Sequence, residues 1–378
     1  MPRTKSLFQR FSSAPRSSHF LLFLGAVALI WWTLGGLLLN NRGQYTPTEK
    51  ISHPAPFIEE DKVSADSGPS LVESPPASDA ASDSTYSLYQ FLHGLEDIFL
   101  VLRTGASEAL QKLPVHLETT LRCLPQDSYG IWSDFGETID GHHVADALDE
   151  VSPSIVSQHP DFAYYRRLKE GGREAFSAEE QTAWASAPNS NRGRNTPGWK
   201  LDKWKFLPLA KKAYKQRPDA KWFIFTECDG HINWRSLLSW LEHHDPSTPY
   251  VGMQMIIGDV VFAYGGSSFV ISNEALKTAV DHYVAEIDTY EDYTGHHWAG
   301  DCVLGKALRD VEVEFTQAWP TFHGESPFET DYNNSVTGPD PKVWCYNAMT
   351  WHHVSPSDIR ELSDFEDKWN LEMSFAIL

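Results

Sequence analysis

The sequence predicts an α/β domain built on a mixed, mostly parallel central sheet and carried behind one N-terminal transmembrane helix. Three observations predict it. Short apolar runs end in glycine or carboxylate and alternate with segments of helical period. Residues 19–39, HFLLFLGAVALIWWTLGGLLL, hold no charge over a length sufficient to cross a bilayer as a helix. Residues 40–85 are rich in Pro, Ser, Asp and Ala and keep no apolar period.

The N-terminal elements come first. Residues 1–18 carry Arg3, Lys5, Arg10 and Arg16 and no acid, so the positive-inside rule keeps this tail cytosolic. Gly-Gly-Leu-Leu-Leu-Asn-Asn follows the span instead of an A-x-A cleavage site, which favours an uncleaved signal anchor over a signal peptide. Trp31 and Trp32 lie inside the run rather than at its edge. Residues 40–85 read as a disordered stem and 86–378 as one luminal domain.

Within that domain, IFLVLRTG (98–105) reads as a buried strand closing in a glycine turn. ASEALQKLPVHLETTL has helical spacing that Pro114 should interrupt or kink. YGIWSDF is a second strand ending at Asp134. Residues 170–200 read as an insertion or mobile loop, and DKWKFLPLAKKAY as a helix leading to the strand 221–226. SLLSWLEHHDP is a helix stopped by Pro246. Residues 251–272 read as two strands broken at Gly258-Asp259 and Gly265-Gly266. Ser272-Asn273-Glu274 opens a helix with Ala275, Leu276, Ala279, Val280, Tyr283 and Val284 on its apolar face, and another begins near Asp301. Ser355 caps a last helix, with Pro356 in its first turn and Asp358 three residues on. Its stripe Ile359, Leu362, Phe365 and Trp369 is expected to pack into the core.

Composition excludes some functions. A net charge of −20 argues against a nucleic-acid partner, which demands a basic face. The four cysteines form no CxxC pair, which argues against a structural zinc site. Aromatic content is high, with 14 Trp, so a large core can form.

The chemistry concentrates in four places. The apolar run Trp222 to Phe225 stops at Glu227-Cys228-Asp229, with Gly230 and His231 behind. Carboxylates at i and i+2 after a strand point the same way and can share a cation, though a strand reaching the surface also ends in acids. Cys228 would then point away and be buried. Trp351-His352-His353 offers imidazoles that suit Mn²⁺ beside carboxylates, or an ordinary surface or core pair. Asp301 opens a helix, where an acid can act chemically or simply cap the terminus and would keep a low pKa. Tyr264-Gly265-Gly266-Ser267-Ser268 allows close backbone approach or makes a turn, and it matches neither a P-loop nor GxGxxG.

Five blocks in order, DKWKFLPLAKKAY, WFIFTECD, GDVVFAYGGSSFVIS, WAGDCVLGKAL and WCYNAMTWHHVSPSD, resemble the inverting β-1,3-glycosyltransferases of the fringe and core-1 type, glycosyltransferase family 31, and are closest to their fungal branch. The resemblance covers about 200–358 well and 95–150 more loosely. It implies a GT-A fold, a UDP-sugar donor, Mn²⁺ or another divalent cation, and a glycan, glycoprotein or glycolipid acceptor. With the anchor, it implies a single-pass type II protein of the Golgi or ER membrane. Asp229 and His352 match the metal ligands, and His353 or His231 could stand in for the histidine. Glu227, Asp229, Thr104, Asp134 and Lys203 are the expected donor-binding residues. Asp301 matches the general base, and Gly265 and Gly266 the glycines beside donor and acceptor. The blocks carrying Cys302 and Cys345 should converge, which suggests a disulfide between them. Asn333 begins an N-x-S/T sequon and is an expected glycan acceptor. The sequence departs from the family at Gly230-His231, which leaves open an inactive sugar-binding or chaperone-like relative. The same carboxylate and histidine types also suit a metal-dependent hydrolase, and the anchor and stem would equally suit a membrane-bound interaction module.

Overall fold

The structure, a computed structural model, describes residues 92–185, 196–246, 250–332 and 343–377. All lie in one unit, Pro76–Leu378; the other unit, Met1–Pro75, falls outside the described residues. The expected tail (1–18), membrane span (19–39), stem (40–85) and glycan acceptor Asn333 therefore lie outside them too. Among the described residues no helix is long and apolar enough to cross a membrane.

Along the chain, β1 (Ile98–Arg103) leads through α1 (Ala109–Glu118) to β2 (Tyr129–Ser133), β3 (Glu137–Ile139) and β4 (His142–Asp146). Short helices follow: α2 (Pro153–Gln158), α3 (Ala163–Gly171), α4 (Ala178–Ala185) and α5 (Pro197–Asp202). Then α6 (Phe206–Gln216) returns the chain to β5 (Trp222–Glu227) and β6 (His231–Ile232). Next come α7 (Trp234–Glu242), β7 (Tyr250–Gly252), β8 (Gln254–Ile257), β9 (Val260–Ala263) and β10 (Phe269–Ser272). The chain closes with α8 (Asn273–Ala285), α9 (Ile287–His296), α10 (Gly300–Asp310), β11 (Phe315–Gln317), β12 (Thr350–Trp351) and α11 (Pro356–Ile377).

The central sheet has eight strands in the order β11-β7-β10-β5-β1-β2-β4-β3. β1 pairs in parallel with both β2 and β5, while β10 runs antiparallel between β5 and β7. The sheet is thus mixed and mostly parallel, as the sequence predicts. β1 is buried along its whole length, which is why it reads as an unbroken apolar run rather than an alternation. Its side chains still divide by parity. Phe99 and Val101 join one core with Phe223, Phe225 and the apolar faces of α6, α8 and α10. Ile98, Leu100 and Leu102 join the other with α1 residues Ala109 and Leu113 and with Leu237, Leu238 and Leu241 of α7. After β2, a strand on one side of β1, the chain crosses to β5 on the other. Ligands of open α/β sheets bind at such a reversal, outside the carboxyl ends of the strands. Here those ends are Arg103 and Glu227, which sit opposite each other in the register.

Several expectations need correction. Pro114 does not interrupt α1, which runs through it. The lost backbone bond would have gone to Leu110, an exposed residue. Residues 170–185 are not a loop: they complete α3 and form α4, pinned by Phe176 stacked on Tyr164 at 4.9 Å with Trp184 against both. The helix expected over 202–214 is α6, which starts only at Phe206, because α5 ends at Asp202 and 203–205 form a turn between them. Residues 250–272 form four strands rather than two, because β8 and β9 make a separate hairpin turning at Gly258 (φ 63°). In α8, Val284 is exposed. In α11 the capping box forms as expected, Asp358 N–H donating to Ser355 Oγ and Ser355 N–H to Asp358 Oδ2. Its stripe is only half core: Ile359 is buried, but Phe365 is 61% and Trp369 53% exposed.

Candidate active site and metal centre

β5 delivers Glu227, and a tight turn closed by Gly230 N–H donating to the Glu227 carbonyl brings round Asp229. A Cβ on Gly230 would lie 2.8 Å from Thr226 Oγ1, so the turn has no room for a larger residue. β6 follows at once and pairs antiparallel with β12, Trp351 opposite His231 and Thr350 opposite Ile232. That two-residue ribbon carries His352 back to the β5 end, and Val354 N–H donates to the Asp229 carbonyl at 3.0 Å. Thr350 Oγ1 donates to the Ser267 carbonyl, fixing the Gly265-Gly266 turn against the same ribbon.

Asp229 and His352, over a hundred positions apart, meet. His352 Nε2 is 3.4 Å from Asp229 Oδ1, and His353 Nδ1 is 3.9 Å from Asp229 Oδ2. The three residues each offer a ligand atom within 4.8 Å of the others. His353 was expected only in place of His352, yet both are in the cluster. His231 is not: its ring is buried and its Nε2 meets Glu366 Oε1 of α11 at 2.8 Å. His352 is 3% exposed, yet neither ring nitrogen has a hydrogen bond of good geometry. A carboxylate with two imidazoles suits Mn²⁺ or another divalent first-row cation, so the residues fit the expected metal.

The electrostatics follow from burial. Burial opposes the charged form of His352, but the Asp229 and Glu227 carboxylates outweigh it and hold its pKa above the ordinary value. His353 goes the other way, to about 4, through burial and the adjacent His352. Burial pushes Glu227 up to about 7 against the pull of Arg103, with Asp229 and Asp202 adding to the rise. Arg103 donates to Glu227 and, at 2.9 Å, to Asp202, with its guanidinium 3.7 Å from the Phe206 ring centroid. Lys112 stands 3.7 Å from Asp229 and 2.8 Å from Glu108.

Asp301 opens α10 on the far side of the glycine turn. Its Oδ2 accepts from Gly265 N–H at 3.0 Å and its Oδ1 from Cys302 N–H at 2.8 Å. The expectation of a low pKa fails: burial raises it, and the two backbone donors only partly offset that rise. Gly265 and Gly266 link the two halves. A Cβ on Gly265 would lie 3.3 Å from Asp301 Cβ, and one on Gly266 2.2 Å from His352 Cε1. Glu227, Gly266, Asp301 and His352 line one cleft, of about 190 Å³, with Tyr264, Lys205 and Trp298.

The other expected residues divide. Asp134 is fully buried just past the β2 end, accepting from Ala106 N–H at 2.6 Å with Lys205 Nζ 3.8 Å away, and Thr104 is buried just past the β1 end. Neither lines the cleft directly; their neighbours Gly105 and Lys205 do. Lys203 lines it, but its ammonium is taken up by Asp161 and by the carbonyls of Gly295 and His297. The expected Cys302–Cys345 disulfide does not form: all four cysteines are free, with Cys302 buried in α10 and Cys345 exposed. Cys228 is buried in the core, as expected.

Sequence reasoning missed Arg103, Asp202 and Trp199. The signal for Arg103 was present, since it is the one charge in an otherwise apolar strand. Comparison with protein-family models returns no match, and comparison with curated proteins returns none either.

Proposed function

We propose that the chain is an inverting, metal-dependent glycosyltransferase with a GT-A-type domain. It transfers a hexose or N-acetylhexosamine from a UDP-sugar to a glycan acceptor, with the β-1,3 linkage that the fringe-like resemblance implies. The observation that carries this reading is one cleft at the carboxyl ends of parallel strands, lined by Glu227, Asp301 and His352, with Asp229 against His352. In this reading residues 19–39 anchor a type II protein in the Golgi or ER membrane.

Asp229, His352 and His353 would hold the cation. Bound there, it would supply charge neutralisation for the departing diphosphate without a proton transfer. Glu227, oriented by Arg103, would accept a hydroxyl of the donor. Asp301 would take the proton of the attacking acceptor hydroxyl, a contribution typically of ~10²–10⁴-fold. Its burial suits the role, because a raised pKa makes a stronger base than a solvated carboxylate. The inactive, sugar-binding reading gains no support from the Gly230-His231 departure, since His231 is engaged with Glu366 rather than with the cluster.

The test is a panel of UDP-sugars with Mn²⁺, read as UDP release with and without acceptors. Asp229→Asn is expected to melt near the wild type and Asp301→Asn somewhat lower, since its amide nitrogen cannot accept from one of the two backbone N–H groups, and each folded variant should lose about 100-fold or more of turnover. Wild-type turnover in either folded variant, or full activity in excess EDTA, would sink the reading.

A further inference from the structure

The aromatic rim of the cleft has no role in the chemistry above. Trp199 of α5 and Trp298, two residues before α10, both line the cleft that holds Asp301. Their indoles are parallel within 9°, with ring centroids 6.4 Å apart. Trp298 is 47% exposed, an unusual setting for the largest apolar side chain.

The pair is held in place by its surroundings. Lys203, directly after α5, sends Nζ to the carbonyls of Gly295 and His297, at 3.3 and 2.9 Å, and to Asp161. It thereby ties the helix of Trp199 to the turn of Trp298. Beneath them, a Cβ on Gly300 would lie 2.6 Å from Lys203 Cα and 2.3 Å from Phe206, so the two segments meet without slack. His297 continues the stack, its ring within 9° of Trp298 at 6.2 Å.

The polar lining narrows the ligand. Asp202 and Glu108 face the same cleft. Each is paired with a cation, Asp202 with Arg103 at 2.9 Å and Glu108 with Lys112 at 2.8 Å, and a carboxylate has lone pairs beyond that pairing to accept from hydroxyls. An apolar C–H face with a rim of hydroxyls satisfies both features, and a pyranose ring has that form.

We propose that Trp199 and Trp298 form a stacking subsite for a pyranose ring of the acceptor beside Asp301. That the ring belongs to the acceptor rests on the transferase reading, since the base must meet the attacking hydroxyl. The stacking site itself can be tested apart from activity.

The experiment follows indole fluorescence of the full chain in a detergent without a sugar headgroup. The probes are methyl glycosides of galactose, glucose, mannose, fucose, N-acetylglucosamine and N-acetylgalactosamine, with and without UDP and Mn²⁺, and uridine as a separate titrant. At least one glycoside is expected to give a saturable change. Trp298→Ala and Trp199→Ala should weaken it about tenfold or more, and Trp298→Phe less, while uridine binding stays unchanged. The proposal is overturned if no glycoside responds, if the response survives both alanine variants, or if uridine binding falls in parallel, which would make the rim a nucleobase site. Glycoside binding lost in the variants of a protein that binds no UDP would keep the subsite and remove the transferase reading.

Discussion

At the residue scale the site depends on how closely Gly266 lets the backbone approach His352. A methyl group placed there would overlap the imidazole, 2.2 Å from Cε1, and His352 is buried with nowhere to retreat. Gly265 is more forgiving, with its nearest contacts at 3.1–3.3 Å to Phe206 and Asp301. Gly266→Ala is therefore expected to cost about 1–3 kcal/mol of stability through overpacking. It should also raise the Mn²⁺ concentration needed for half-maximal UDP release, because His352 must turn away from Asp229. Gly265→Ala should shift both quantities less. Thermal melts and a Mn²⁺ titration of the two variants decide it; an unchanged metal response in Gly266→Ala would detach the glycine turn from the cluster. Arg103 belongs to the same scale. It is the buried cation against which Glu227 and Asp202 are set, and Phe206 stacks on its other face while packing under Gly265 and Gly300.

At the element scale, α10 carries Asp301 at its start and ends in a residue poorly suited to its backbone. Glu312, two residues past Asp310, has φ 60°, the left-handed region that favours glycine. Glu312 N–H donates to the Arg309 carbonyl and Val313 N–H to Leu308, the bonds of a helix-ending turn. Glu312→Gly keeps those bonds and removes the Cβ conflict, which outweighs the added freedom of the unfolded chain. A gain of about 0.5–1 kcal/mol is expected in chemical denaturation, with turnover unchanged because the site lies at the other end of the helix. A loss of stability would mean that the Glu312 side chain contributes more than its backbone costs. The elements also differ in how plainly the sequence announces them. β1, β2, β5 and β10 are buried on both faces and read as apolar runs. The edge strand β3 and its neighbour β4, ETI and HHVAD, are polar and half-buried, and nothing in their residues marks a strand. β6 and β12 are two residues each, too short for any period, yet their pairing is what brings His352 to Asp229. The Asp229–His352 pairing was thus legible through its residue types and the order of the blocks, and Arg103 was marked as a lone charge in an apolar strand, whereas the Trp199–Trp298 rim became visible only with the tertiary packing. The exposed half of the α11 stripe makes the same point: a helical period fixes which residues share a face and leaves open what covers it.

At the scale of the whole molecule, the buried histidines set how the fold responds to acid. His116 of α1 is fully buried between the helix layer and the site turn, its Nε2 3.0 Å from the Cys228 carbonyl and its Nδ1 3.0 Å from Thr120 Oγ1. A carbonyl only accepts, so Nε2 carries the proton and Thr120 donates to Nδ1. Burial pushes the His116 pKa down to about 4, from an ordinary 6.5. Between those values the unfolded chain binds a proton that the folded chain refuses, so stability rises with pH across the window. The His116 contribution is fully present above about 6.5 and is lost as pH falls toward about 4, where it amounts to roughly 3 kcal/mol at most. His323, stacked on Trp351 and also lowered to about 4 by burial, adds to the same loss. Glu227 has the opposite sign: raised to about 7 by burial, its carboxyl stabilises the fold as pH falls from about 7 toward its ordinary 4.5. The net wild-type curve mixes these effects, and the difference between two proteins isolates one of them. His116→Gln removes the titration at that position, so its melting temperature should fall less steeply than that of the wild type between pH 6.5 and pH 4. The two curves should run parallel above pH 7, where His116 is neutral in both states. Parallel curves throughout the acid window would mean that the ring accepts its proton without unfolding the layer around it.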